Sequence, residues 1–223
     1  MLDGEVRMQK KIENYQKWLD HVIEDLKEKG EVKRLLLHSC CAPCSSYVLE
    51  YLAEYFSITI FYYNPNITIE EEYRNRIKEQ QRLIKELPVK YAISFLEGDY
   101  CPEKYFETVK GYEKEKEGGE RCFLCYELRL REAAERAKEG NFDYFTTTLS
   151  ISPMKNAKKL NEIGQRLSLE YNIPYLYSDF KKKNGYQRSI VLSREYQLYR
   201  QNYCGCIFSK RDREETQSAI IGN

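Results

Sequence analysis

The chemistry in this chain is concentrated in its cysteines. Cys40, Cys41 and Cys44 form C-C-x-x-C, Cys122 and Cys125 form C-x-x-C, and Cys204 and Cys206 form C-x-C, so only Cys101 of the eight stands apart. Buried apolar thiols have no reason to arrive in groups. Metal and redox sites do, because a C-x-x-C at the start of a helix turns two sulfurs toward one centre and the helix N-terminus favours thiolate. In a short secreted chain the same cysteines would read as a disulfide framework. Here the amino end, MLDGEVRMQKKIENYQKWL, is polar and lacks the apolar core of a signal peptide. No apolar run approaches the roughly 20 residues of a membrane span. The reading is therefore a cytoplasmic protein, in a reducing compartment, whose cysteines hold metal.

Two kinds of centre compete for these thiols. A [4Fe–4S] cube takes four thiolates and leaves three or four over. Adjacent residues such as Cys40 and Cys41 ordinarily project apart, which hints at two centres side by side. Gly205 could fold Cys204 and Cys206 inward together. Zinc alone would use a closed tetrahedral cage, yet the groups are spread over the chain and a core of this size needs no metal to fold. Iron–sulfur is favoured. His38 precedes the first cysteine group and reads as a ligand, an acid or a satisfied core residue; His21 lies on a solvated helix face. Asp99 and Asp179 follow predicted strands, where capping and turn roles are the plain alternative.

These residues need a scaffold. Helical spacing is predicted from Gly4 to Lys29, Ser45 to Phe56, Ile69 to Leu87, Glu103 to Gly111, Cys122 to Lys138, Ala157 to Tyr171 and Ser189 to Asn202. Strands are expected at Arg34–His38, Ile58–Tyr63, Val89–Leu96, Phe142–Leu149 and Pro174–Tyr177. Alternation of this kind implies an α/β fold with a mainly parallel five-stranded sheet and helices on both faces. The unusual segments HSCCAPCSS, YYNPN, EGDYC, TTTLSISPMK and SDFKKKNGYQ each follow one of these strands. Ligands of open α/β sheets bind outside the carboxyl ends of the strands, so one site is expected on that edge.

With 223 residues, 42% of them hydrophobic, the chain fits one α/β domain over 1–223, with a helical extension over 1–30 and a tail over 204–223 that brings Cys204 and Cys206 to the site. Its 36 Lys and Arg nearly balance 35 Asp and Glu. That balance excludes a protein that coats nucleic acid but allows a local basic patch. Lys181, Lys182, Lys183, Arg188, Arg194 and Arg200, interleaved with Tyr186, Tyr196, Tyr199 and Tyr203, could form one. A tyrosine-rich helix with solvated lysines would look the same.

The whole motif set resembles one family. His38-Ser-Cys-Cys-Ala-Pro-Cys44, Tyr63-Asn-Pro-Asn-Ile67 with Glu72, Tyr73 and Arg76, Arg121-Cys-x-x-Cys-Tyr126 with Arg129 and Leu130, Thr146-Thr-Thr-Leu149 with Ser152, Pro153 and Lys155, and Tyr199-Arg-Gln-x-Tyr-Cys-Gly-Cys206 with Ser209 are similar to the QueH family of cobalamin-independent epoxyqueuosine reductases. The resemblance runs from about Leu35 to Ser209. It implies a fold of the HUP (adenine nucleotide alpha hydrolase-like) class, a [4Fe–4S] cluster with an adjacent metal ion, expected to be iron, a tRNA substrate carrying epoxyqueuosine, and an electron donor that the sequence does not name. In the family pattern an aspartate follows the tyrosine of the segment that here reads Tyr100-Cys101-Pro102, so Cys101 could replace a carboxylate ligand.

On this resemblance Cys41, Cys122, Cys125 and Cys204 are assigned to the cluster, and Cys40, Cys44, Cys206 and Cys101 to the second ion. Asp99, Tyr100 and His38 are candidate proton donors. Lys181, Lys182, Lys183 and Arg188 would hold the phosphates of a tRNA whose modified base has left the stack. A HUP-type tRNA thiolase or sulfurtransferase is the runner-up, but Ser39–Ser45 contains no glycine with which to cradle the phosphates of ATP. A zinc-stabilised RNA-binding module is the non-enzymatic alternative.

Overall fold

Leu35, Leu36 and Leu37 are fully enclosed, as a run of apolar residues must be in the centre of a parallel sheet covered on both faces. The computed structural model describes residues 14–221. In it these leucines lie on β1 (Lys33–His38), between β2 (Phe56–Tyr62) and β4 (Tyr144–Thr147), with β3 (Ser94–Glu97) outside β2. All three pairings are parallel, and the order is β3-β2-β1-β4.

Side chains alternate across a strand, and the core divides accordingly. Leu35 and Leu37 pack with Val48, Leu49, Leu52 and Leu83. Leu36 packs on the opposite face with Leu130, Ala133, Ala137 and Leu160. Helices α1 (Tyr15–Lys29), α2 (Ala42–Leu52) and α3 (Glu70–Glu86) therefore cover one face, and α5 (Glu120–Glu139) and α6 (Ala157–Tyr171) the other. The short α4 (Pro102–Thr108), α7 (Gly185–Glu195) and α8 (Ile207–Ile221) complete the described chain. Helix α7 lies against α2, and a Cβ on Gly185 would stand 2.3 Å from the Tyr47 ring. Only glycine permits that approach.

Among the described residues the sheet has four strands, which corrects the expected five. The Pro174–Tyr177 segment makes a single parallel bridge, Phe145 to Tyr175. Beyond it, side chains replace the ladder. Thr146 Oγ1 donates to the Leu176 carbonyl at 2.8 Å, while Asn161 pairs with both the N–H and the carbonyl of Ser178 at 3.0 and 2.8 Å. A backbone satisfied this way gains nothing from extending the strand.

Other boundaries moved for local reasons. Strand β4 stops at Thr147 because its hydroxyl accepts the Leu149 N–H and starts a 3-10 turn at Thr148–Ile151. The predicted helix Ser189–Asn202 becomes α7 and ends at Glu195, with Gln197 at φ 50. Helix α8 falls in what the sequence suggested was a tail; its apolar residues sit at its two ends around a charged middle, so it carries no periodic signal. The first part of the predicted amino-terminal helix, residues 4–13, lies outside the described residues.

Candidate metal centres

The first cysteine group sits where β1 turns into α2. Cys40 occupies a bend just past the end of β1, Cys41 is the extended N-cap of α2, and Pro43 stands in its first turn. Side chains that would alternate along a continuing strand meet at this bend. The Cys40 and Cys41 sulfurs are 3.7 Å apart, and the sulfurs of Cys40, Cys41 and Cys44 all lie within 4.8 Å of one another. The expectation that the adjacent pair would diverge does not hold. Within this trio Cys41 gives up its proton first: hydrogen bonds from Cys40 and Cys44 and the nearby Arg76 hold it well below the usual thiol range. Cys40 is correspondingly pushed up to about 11, first by its hydrogen bond with Cys41.

A second group forms from two distant segments. Cys122 and Cys125 lie on the first turns of α5 and are buried. Cys204 and Cys206 have sulfurs 3.5 Å apart. Gly205 makes this possible with φ +110, and a Cβ there would stand 2.6 Å from Ile67 Cγ1. Cys125 and Cys206 share a buried cluster with Tyr105, and Cys204 packs against it. Burial raises Cys125 to about 11, with Cys204 and Cys122 adding to the shift and Arg129 opposing it. Cys204 lies well below the usual thiol range, through the hydrogen bond from Cys206 and then the Lys155 ammonium, with burial opposing both.

One cavity joins the groups. Its walls include Cys40, Cys41, Cys44 and Cys204 together with Arg76, Arg129, Lys155 and Glu117. The cations are buried unusually deeply. Arg76 is 1% exposed and pairs with Glu72 at 2.7 Å, also donating to the Cys204 carbonyl. Lys155 pairs with Glu117 at 2.9 Å. Arg129, 3% exposed, donates to the Cys125 carbonyl and to Asn64 Oδ1; among the described residues it has no carboxylate partner. A buried charge needs an opposite one; Glu72 and Glu117 supply it for Arg76 and Lys155, and the cysteine sulfurs beside Arg129 are the groups that could supply it there.

The sequence singled out Cys40, Cys41, Cys44, Cys122, Cys125, Cys204 and Cys206: Cys40, Cys41, Cys44 and Cys204 line this cavity, Cys125 and Cys206 belong to the cluster that Cys204 packs against, and Cys122 to the cluster that Cys40 packs against. Cys101 is the half-buried N-cap of α4 and does not line the cavity. The three candidate proton donors also lie off its walls. His38 is fully buried, with Nε2 donating to the Tyr63 carbonyl at 3.0 Å and Nδ1 accepting from Thr147 Oγ1 at 2.9 Å. Burial first, then Arg129, lowers it to about 3, so it ties strand ends together as a neutral ring. Tyr100 packs on Tyr73 with ring centroids 4.7 Å apart, and Asp99 is exposed.

The basic segment is largely engaged elsewhere. Lys181 donates to the Ser150 carbonyl at 2.7 Å, Lys183 pairs with Asp20 at 2.6 Å, and Arg188 holds Glu50 with two nitrogens. Lys182 lines a separate recess beside Tyr15 and Glu162. The cations at the mouth of the cysteine cavity are instead Arg200 and Arg213, both exposed. Arg129 and Glu117 were given no role from the sequence. A signal for Arg129 was available: it lies four residues after Cys125 on a helix, hence on the same face.

Among the described residues no helix is long and apolar enough to cross a membrane. The U34-tRNA thiolase NcsA from Methanococcus maripaludis with its [4Fe–4S] cluster aligns at a TM-score of 0.49 and 12% identity, over 86% of this chain and 67% of that one. The chain is 43% identical over 200 residues to an epoxyqueuosine reductase QueH of Staphylococcus epidermidis, covering 88% of this chain and 84% of the relative. It is 41% identical to one of Streptococcus pyogenes, covering 89% and 78%, and 33% identical to one of Thermotoga maritima, covering 83% and 95%. Residues 35–212 match the family described as epoxyqueuosine reductase QueH, and with these identities over most of its length the chain belongs to that family.

Proposed function

We propose that this chain reduces epoxyqueuosine to queuosine at the wobble position of tRNA, using a [4Fe–4S] cluster and an adjacent metal ion. The observation that carries the reading is a cavity lined by four cysteines from two distant segments, Cys40, Cys41, Cys44 and Cys204, together with a buried guanidinium, Arg129, that has no carboxylate partner among the described residues. Two electrons and two protons convert the epoxide to an alkene and water. A cluster with a neighbouring ion supplies single electrons and a Lewis acid for the C–O bond when bound.

Sulfur spacing supports an allotment different from the one suggested by the sequence. Metal–sulfur bonds of about 2.3 Å in a tetrahedral site place ligand sulfurs roughly 3.8 Å apart. The Cys40, Cys41 and Cys44 trio, within 4.8 Å, suits a single ion. Cys122, Cys125, Cys204 and Cys206 are then the four remaining grouped thiols, and four is the number that a cube takes. This moves Cys41 to the single-ion site and Cys206 to the cluster.

The chain's own residues then bind and orient substrate. Lys155, held by Glu117, lines the cavity and would offer its ammonium to a bound epoxide oxygen. Arg200 and Arg213 at its mouth take the phosphates flanking the displaced nucleotide. The Ser39 and Ser45 hydroxyls both donate to Gln80 Oε1 at 2.8 Å, so the turn that would cradle ATP in a thiolase is already occupied.

The test is anaerobic. Brown protein with absorbance near 400 nm, four or more irons per chain and conversion of epoxyqueuosine-tRNA to queuosine-tRNA under a strong reductant supports the proposal. A colourless protein carrying stoichiometric zinc after reconstitution sinks it.

A further inference from the structure

Arg129 differs from the other buried cations of the site. Arg76 has Glu72, Lys155 has Glu117, and Arg121 has Asp212 at 3.7 Å. Arg129 makes two neutral hydrogen bonds, Nε to the Cys125 carbonyl at 3.2 Å and Nη1 to Asn64 Oδ1 at 3.4 Å. A guanidinium carries five N–H donors; Arg129 lines the cavity and makes no ion pair among the described residues. Around it stand Cys125, Cys40 and Cys204, each of which as thiolate favours the charged guanidinium. It stands one turn after Cys125 on α5, with its Nε on the Cys125 carbonyl.

We infer that Arg129 is the fixed counter-charge of the metal centres, a positioning residue whose guanidinium sets the reduction potential of whatever the surrounding thiolates hold. The claim rests on the proposed iron–sulfur reading for its redox consequence only. A positive charge held in a poorly polarisable interior stabilises the more negative, reduced state of a centre and so raises its potential. The competing role is a clamp: Arg129 would only tie α5 to Asn64, and its charge would be incidental.

Charge and clamp separate in two variants. Arg129→Lys keeps the charge and loses the fork; Arg129→Gln keeps hydrogen-bonding capacity and loses the charge. Redox titration of the reconstituted protein, followed by visible absorbance and electron paramagnetic resonance, is expected to show the Gln variant reduced less readily by about tenfold in equilibrium constant, roughly 59 mV for one electron. The Lys variant is expected to stay close to the native value. Equal shifts in both variants, or none in the Gln variant, overturn the inference.

A measurement on metal-free protein covers a variant that cannot be loaded. Without metal, fewer of the surrounding sulfurs need carry charge, and Arg129 is less compensated. Removing its charge should leave the unfolding temperature of the metal-free protein unchanged or higher, while the rise on metal loading shrinks. A metal-free Gln variant several degrees less stable than the native metal-free protein identifies a clamp and overturns the inference. Native protein that takes up zinc and no iron would refute the functional reading while leaving this second comparison intact.

Discussion

Lys155 Nζ lies 2.9 Å from Glu117 Oε1, and the pair is almost fully enclosed, with 8% and 13% of the two side chains exposed. Burial by itself would raise the Glu117 carboxyl; the Lys155 ammonium and the Ser209 hydroxyl override it and hold it below the usual range. A depressed carboxyl stabilises the fold above its unfolded value, near 4.5, and that contribution is lost as pH falls through the folded value. Glu117→Gln should cost about 3 kcal/mol at pH 7 by stranding Lys155. Denaturant unfolding should show the gap to the native protein closing below about pH 4.5; a gap independent of pH would refute the pairing.

Gly205 holds the Cys204–Cys206 hairpin. Gly205→Ala must meet both a left-handed φ of +110 and a contact with Ile67. The strain should cost roughly 1–3 kcal/mol, and iron content after reconstitution should fall sharply. Adding Ile67→Ala relieves the contact but not the backbone angle, so recovery of iron should be partial. Full iron loading in the single variant would show that the close approach of these two sulfurs is not needed.

The allotment of sulfurs to centres is read by counting. Cys44→Ala should lose about one iron per chain and retain the absorbance near 400 nm, whereas Cys122→Ala should lose that absorbance. If the Cys44 variant bleaches, the trio belongs to the cluster.

His38 is held neutral at about 3, against an ordinary 6.5. Between those values the unfolded chain binds a proton that the folded chain refuses, so stability should decline on acidification by about 1.4 kcal/mol per pH unit. His38→Gln should be less stable at pH 7 by about 1–3 kcal/mol through its lost hydrogen bonds. Unfolding measured from pH 7 down to 4 should show the variant's deficit shrinking; parallel pH profiles would contradict a neutral, buried ring.

Recognition of tRNA should follow the open cations, not the paired ones. Arg200→Gln and Arg213→Gln are each expected to weaken tRNA binding and lower the salt slope by about one. Lys183→Gln and Arg188→Gln lose pairs with Asp20 and Glu50 and should change affinity by less than about twofold, because neither cation lines the cysteine cavity. Filter binding across a salt series decides between the two surfaces.

Much of this was legible in the sequence because its cause is local. The grouped cysteines, the polar glycine-free turn after β1, the buried Leu35–Leu37 run and the helical periodicity of α1, α3, α5 and α6 are properties of neighbouring residues. Motif identity over nearly the whole chain named the family. Tertiary structure decided which sulfurs meet. The bend at Cys40 brings the adjacent thiols together where strand geometry predicts divergence, and α5 and the Gly205 hairpin deliver four more from segments about 80 residues apart. It also decided which cations are free. Lys183 finds Asp20 across 163 residues and Arg188 finds Glu50 across 138, while Arg129 comes to rest among sulfurs with no carboxylate partner among the described residues. Pairing of charges is a property of distances in space, and no local pattern of residues contains those distances.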